Sequence, residues 1–166
     1  QSPDLPAIAE ISGKLGISIV EDACHALGST YVSETSNEFV GSCSHSDLSV
    51  FSFHPVKTIA MGEGGALTTN NESLAKRLKF FCGHGMVREP ESFINSAMAI
   101  GDDESLNPWY YEMQEMGFNF RASDIHCALA TSQLTKLENF AQRRKKLAIL
   151  YDATLQSLSP LVRPLT

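Results

Sequence analysis

The apolar positions of this chain change period several times, and each change predicts an element. Pro6 suits the first turn of a helix, Ile8, Ile11 and Leu15 recur at helical spacing, and Gly16 is placed to end it. Ile17 to Val20 is an unbroken apolar run, the pattern of a parallel strand buried on both faces. Ala23 to Leu27 predicts a helical turn closed by Gly28, and the polar stretch Ser29 to Ser46 a hairpin or loop. Asp47 to Phe53 predicts a strand through Leu48, Val50, Phe51 and Phe53, and Ala66 to Thr69 another. Asn71 to Phe81 reads as a helix with Leu74 and Leu78 inward. Between Arg88 and Trp109 the period is lost, as in a mobile loop or an insertion. Ser123 opens a further helix (Ile125, Leu129, Ser132) with Asp124 favourable in its first turn. Leu137 to Leu158 continues as a longer amphipathic helix whose run Gln142 to Lys146 faces solvent. Strands alternating with helices predict a doubly wound α/β sheet.

Composition narrows the class. With 43% hydrophobic and 19% charged residues the chain is globular, and its 166 residues are enough for one sizeable core. A net charge of −6 argues against nucleic acid as a partner, although one local site can still oppose it for a phosphorylated ligand. No apolar run approaches the roughly 18 residues of a membrane span. Cys24, Cys43, Cys82 and Cys127 lack CxxC spacing, so they read as reduced core thiols of a cytoplasmic protein, with neither a disulfide nor a metal site expected.

The chemistry concentrates between Val50 and Gly65. There an apolar strand ends in a short turn, Lys57 follows, and then Gly62-Glu63-Gly64-Gly65. An amine held where a buried strand emerges is suited to attack carbonyls. Asp22 ends the earlier strand, at the carboxyl edge where open α/β sheets bind ligands. A lysine and such an aspartate are what pyridoxal phosphate (PLP) requires, an amine to carry it and an anion for its ring nitrogen. The bland alternatives are a surface lysine and a carboxylate capping the turn that follows it. The glycines read as a tight turn that lets backbone pass close by, since they do not form a GxxxxGK[ST] phosphate loop.

Val20-Glu21-Asp22-Ala23-Cys24-His25-Ala26-Leu27-Gly28, the run Phe51 to Lys57, and Gly62 to Gly65 together resemble the DegT/StrS-type PLP-dependent sugar aminotransferases. The likeness continues through Lys79 to Met86 and Trp109 to Arg121 and covers nearly the whole chain. In wording it resembles the branch that aminates C4 of a UDP-4-keto-6-deoxy-N-acetylhexosamine on the route to pseudaminic acid. The resemblance implies a fold type I aminotransferase large domain, with a doubly wound, mostly parallel sheet. Residues 1–122 would be part of the PLP-binding large domain and 123–166 a helical connection toward a small domain. Family members are more than twice as long, so a central fragment, incomplete at both ends and inactive alone, is expected.

The resemblance also implies roles. Lys57 carries the cofactor and moves the proton. Asp22 pairs with the pyridine nitrogen. His25 contacts the cofactor ring or its phenolic oxygen, or else only packs near the site. Ser52 bonds the cofactor phosphate, or is a strand serine bonded to backbone. Asn119 reaches the cofactor phosphate of the other subunit of a homodimer, and Arg121 holds an anionic substrate group. His54 and Pro55 shape the lysine turn. The substrates implied are a nucleotide-linked keto sugar and an amino-acid donor, L-glutamate. Two rival readings are a PLP-dependent sugar dehydratase of the same fold and a regulatory homologue that binds cofactor without turnover. The dehydratases carry histidine in place of the lysine, which counts against the first. An intact Asp22, Ser52 and Lys57 counts against the second.

Overall fold

Asp4 starts the first helix, α1 (Leu5–Leu15), because its carboxylate accepts from the Ala7 N–H at 3.1 Å, and Gly16 ends it at φ 64°. The computed structural model describes residues 3–32 and 37–163. The remaining elements, in chain order, are β1 (Val20–Asp22), β2 (Thr30–Val32), β3 (Asn37–Phe39), β4 (Leu48–Ser52), β5 (Gly65–Thr68), α2 (Glu72–Cys82), β6 (Met86–Val87), α3 (Ser96–Ala99), β7 (Glu112–Met113), α4 (Asp124–Leu134) and α5 (Leu137–Leu155). By contact they form two compact units, one drawn from residues 1–70 and 123–166, the other from 71–122.

In the first unit a three-stranded sheet has the order β1-β4-β5. β1 runs parallel to β4, with Asp22 opposite Val50, and β5 returns antiparallel with Gly65 opposite Ser52. The one antiparallel neighbour arises because the chain turns straight back through residues 53–64 without a crossover helix. A Cβ at Gly65 would overlap the Phe51 carbonyl oxygen, so only glycine lets β5 start this close to β4. The core holds Ala23, Val40 and Phe51, with Leu27, Tyr31, Phe53 and Ala66 packed on it. Burying a ring such as Phe51 contributes about 1.5–3 kcal/mol. β4 also buries Ser49 completely, and its hydroxyl donates to Glu21 Oε2 at 2.6 Å, the residue directly across the parallel pair. A polar side chain is tolerated there because its partner is built into the register.

Several expectations shift. The strand expected at Ile17 to Val20 lies at Val20–Asp22, and Ile17 and Val20 are exposed instead of buried on both faces. Among the described residues β1 has one neighbour, and the ladder begins where Leu48 meets Val20. Asp47 ties down the residue before it, its carboxylate accepting from the Ile19 N–H at 2.7 Å. Ile8, Ile11 and Leu15 of α1 are exposed, since among the described residues nothing covers them. The polar stretch after Gly28 forms an antiparallel hairpin of β2 and β3, with residues 33–36 outside the described residues.

α4 begins at its Ser123 cap, which accepts from the His126 N–H at 3.3 Å. Its Ile125 and Leu129 face outward, while His126 and Ala130 are half-buried. Cys127 is exposed for the same reason, where a core thiol was expected, and all four cysteines are free. α5 docks its first turns, with the Leu137 side chain against the Gly28 turn, and leaves Ile149, Leu150 and Tyr151 exposed. No helix among the described residues is long and apolar enough to cross a membrane.

The second unit holds α2, the short β6–β7 pair and α3. Residues 88–109 lack periodicity, yet they are pinned by polar contacts. Glu112, 8% exposed, accepts from the Ile94 and Asn95 N–H groups at 2.8 Å each, from the Tyr110 hydroxyl at 2.9 Å and from the Gln114 amide at 2.9 Å. A carboxylate gathering four donors organises a loop that no apolar stripe could order. Burial pushes the Glu112 carboxyl up, but the Gln114 amide, the two backbone N–H groups and Tyr110 outweigh it and hold it at about 2, against an ordinary 4.5. Because the folded value is the lower one, this stabilisation is complete above pH 4.5 and is lost as the pH falls toward 2. Trp109 lies 6.0 Å from the Tyr110 ring and reports on the loop. Its fluorescence should show an acid transition in that window, and Glu112→Gln should loosen the loop at neutral pH and flatten the transition. Coinciding acid titrations of the two proteins would remove the assignment.

Candidate active site

The β1–β4 register brings two strand ends to one edge of the sheet. Asp22 closes β1 opposite Val50, and the Ala23 N–H donates to the Val50 carbonyl at 2.9 Å, carrying the parallel pairing one residue beyond the strand. Ser52 closes β4 two residues further along the same edge. The chain then folds at His54, whose carbonyl accepts from the Lys57 N–H at 2.9 Å and whose Nδ1 accepts from the Val56 N–H at 3.4 Å. His54 therefore shapes the turn that encloses Pro55. Ile59 and Met61, 2% and 3% exposed, anchor the far side of the loop. Two further bonds of 2.9 Å, Phe53 N–H to Gly64 O and Met61 N–H to Phe53 O, close its neck. Gly62 lies within packing distance of the His126 ring from α4.

Within this frame the Lys57 Nζ meets His25 Nε2 at 2.8 Å. A bond between two nitrogens needs one donor and one acceptor, and either the amine or the imidazole can fill each role. His25 stands in the turn that follows β1. The pair thus joins the two segments that the sequence singled out separately.

Asp22 is exposed, and its Oδ1 accepts from the Cys24 N–H at 3.0 Å. The Cys24 thiol and this N–H hold its carboxyl below the usual range. Burial opposes them slightly, and the charges of His25 and Lys57 add to the effect. The Cys24 thiol is pushed up in turn by its bond to Asp22. Ser52 accepts weakly from the His54 N–H at 3.4 Å, and its hydroxyl keeps a proton to donate. Four of the six candidate residues, Asp22, His25, Ser52 and Lys57, are therefore neighbours in the first unit. Asn119 and Arg121 belong to the second unit, where both are exposed and Arg121 Nε donates to Asn119 Oδ1 at 3.3 Å.

Two residues of the site were not singled out from the sequence. Cys24 has a local signal, since an aspartate accepting from the N–H two residues on is an Asx turn. Arg144 has none. Its Nη2 donates to the Lys57 carbonyl at 3.3 Å from a helix 87 residues away, so part of the basic run expected on a solvated face reaches the lysine loop. Among the described residues no group of three or more His, Cys, Asp or Glu could hold a metal ion.

Comparison with known proteins matches the geometry to a family. The model of the DegT/DnrJ/EryC1/StrS aminotransferase family matches residues 1–165. A UDP-4-amino-4,6-dideoxy-N-acetyl-beta-L-altrosamine transaminase of Campylobacter jejuni is 37% identical over 91% of this chain and 34% of its own length. The spore coat polysaccharide biosynthesis protein SpsC of Bacillus subtilis is 34% identical over 99% of this chain and 38% of its own. Among solved structures, Helicobacter pylori PseC, an aminotransferase involved in the biosynthesis of pseudoaminic acid, superposes with a TM-score of 0.76 at 30% identity, over 98% of this chain and 39% of that one. The chain thus spans little more than a third of the length of the relatives it matches, and its fold is part of a fold type I aminotransferase large domain. It belongs to the DegT/DnrJ/EryC1/StrS aminotransferase family.

Proposed function

We propose that the protein is a PLP-dependent aminotransferase that moves an amino group from an amino acid, L-glutamate, to the keto carbon of a nucleotide-linked sugar. The sugar is a UDP-4-keto-6-deoxy-N-acetylhexosamine, aminated at C4. The observation that carries this is the contact of Lys57 with His25 at 2.8 Å beside an Asp22 held ionised. The names of the Campylobacter and Helicobacter relatives support the substrate class.

The donor set fits PLP. Lys57 supplies the amine that carries it, Asp22 an anion for the ring nitrogen, and Ser52 a hydroxyl for the phosphate. When bound, PLP supplies an electron sink for the carbon that loses its proton. Lys57 would be the general base and acid that moves that proton. His25 can take or return a proton at Nε2 while keeping the amine in place. Asp22, already below the usual carboxylate range, keeps its charge at neutral pH and so keeps the ring nitrogen protonated.

The reading extends to assembly. A homodimer with shared sites, in which Asn119 serves the partner's cofactor phosphate and Arg121 a substrate anion, is supported by the surface around Asn119. Phe118 and Phe120 flank it, stacked at 5.1 Å, and are 59% and 71% exposed. Aromatic side chains presented to solvent in this way suit a protein partner. Residues 123–166 are read as the connection toward a small domain, and the four free cysteines fit a reducing cytoplasm.

Five outcomes test the reading. Borohydride reduction of the PLP-loaded protein should fix a pyridoxyl group on the peptide containing Lys57, and label on another lysine would falsify the assignment. Lys57→Ala should lower turnover by on the order of a thousand-fold or more. Asp22→Asn, which keeps shape and removes charge, should slow turnover on the order of a hundred-fold with little loss of cofactor. Cys24→Ala should move the acid limb of the rate profile to higher pH, because Asp22 loses the thiol bond that lowers it. Near-normal rates in Asp22→Asn would exclude the electron-sink role. Mixing Lys57→Ala with Asn119→Ala subunits should restore some activity, and none despite proven exchange would rule out shared sites.

A further inference from the structure

A recess of about 300 Å3 opens beside the lysine loop, walled by Lys57 and Thr58 from the loop, Gln133 from α4, and Phe140, Arg143 and Arg144 from α5. Two guanidinium groups line it and no carboxylate does. Among the described residues neither arginine has an acidic partner, although the chain as a whole carries −6. Like charges gathered in one concavity repel one another and focus a positive potential, which an anion relieves. The arrangement also has donors to spare. Arg144 spends one N–H on the Lys57 carbonyl, which fixes the guanidinium against the loop and leaves its others free. Arg143 adds a second fork, and the Gln133 amide and Thr58 hydroxyl add neutral donors. Two arginine forks and two neutral donors offer more N–H and O–H groups than the two oxygens of a single carboxylate can use, and suit the several oxygens of phosphoryl groups.

We propose that this recess is an anion subsite that takes a diphosphate. Assigning that diphosphate to the nucleotide-linked sugar rests on the aminotransferase reading above. The volume suits the diphosphate alone, at the lower end of small-molecule sites, and leaves the sugar outside it. Because Arg144 bridges the anion and the Lys57 carbonyl, the subsite ties substrate charge to the loop that carries the reacting amine.

The test uses the PLP-loaded protein, so that the cofactor phosphate site is already filled. Inorganic pyrophosphate should bind saturably, with a dissociation constant on the order of millimolar or tighter, and more weakly as salt rises. The double variant Arg143→Gln/Arg144→Gln should weaken binding at least tenfold, with PLP absorbance and circular dichroism unchanged. Ser52→Ala should leave pyrophosphate binding as it was. UDP should compete with pyrophosphate, and L-glutamate should not. Equal affinity in the double variant, or no saturable binding at about 10 mM, overturns the subsite. Displacement by glutamate instead of UDP overturns the nucleotide assignment. A protein that takes no PLP, yet binds pyrophosphate through the two arginines and independently of Ser52, would sink the aminotransferase reading and leave the subsite standing.

Discussion

The parallel pairing of β1 with β4 is the constraint on which the candidate site depends. Its register sets Asp22 opposite Val50, and from that one alignment follow the Ala23–Val50 bond, the position of the turn carrying Cys24 and His25, and the reach of His25 to Lys57. A slip of one residue would reverse every side chain of β1 and send Asp22 to the opposite face. The register is fixed by polar groups as much as by apolar ones. Ser49, buried completely, meets Glu21 across the pair, and Asp47 holds Ile19 at its entrance. Each bond satisfies a group that would be costly to leave without a partner, so the alternative registers carry a penalty.

The lysine loop shows how an irregular segment is made precise. Residues 53–64 have no ladder of their own. They are closed at the neck by bonds between Phe53 and the residues returning to β5, weighted by buried Ile59 and Met61, and met by His126 and Arg144 from two helices. Function on a loop requires this kind of support, because a lysine chain with four rotatable bonds is positioned only as well as its backbone is. The second unit solves the same problem differently. There Glu112 collects donors from residues 94, 95, 110 and 114 and orders a stretch whose apolar residues follow no period. The second device fails in acid.

The chemistry-bearing residues were legible because they lie close together in the chain. Asp22 with His25, and Ser52 with Lys57, each occupy a strand end and the turn after it, and such turns have local rules. Helix starts at Asn71 and Ser123 were legible for the same reason, since each cap bonds within three residues of itself. Periodicity was less informative about which side of an element is buried. Ile8, Ile11 and Leu15 have helical spacing and Ile125 and Leu129 likewise, yet all are exposed among the described residues. Spacing states that an apolar face exists, and only the neighbouring elements state what lies against it.

By itself, then, the sequence determined the alternation of strands and helices, the family motifs, and the lysine and aspartate at strand ends, all of which depend on neighbours a few residues apart. The tertiary structure alone decided that the ladder begins at Val20, that β5 returns antiparallel, that Arg144 reaches the Lys57 carbonyl and that residues 88–109 are held by Glu112. Each of these depends on groups 15 to 90 or so residues apart, whose meeting is set by loop closure and packing and leaves no periodic trace in the chain.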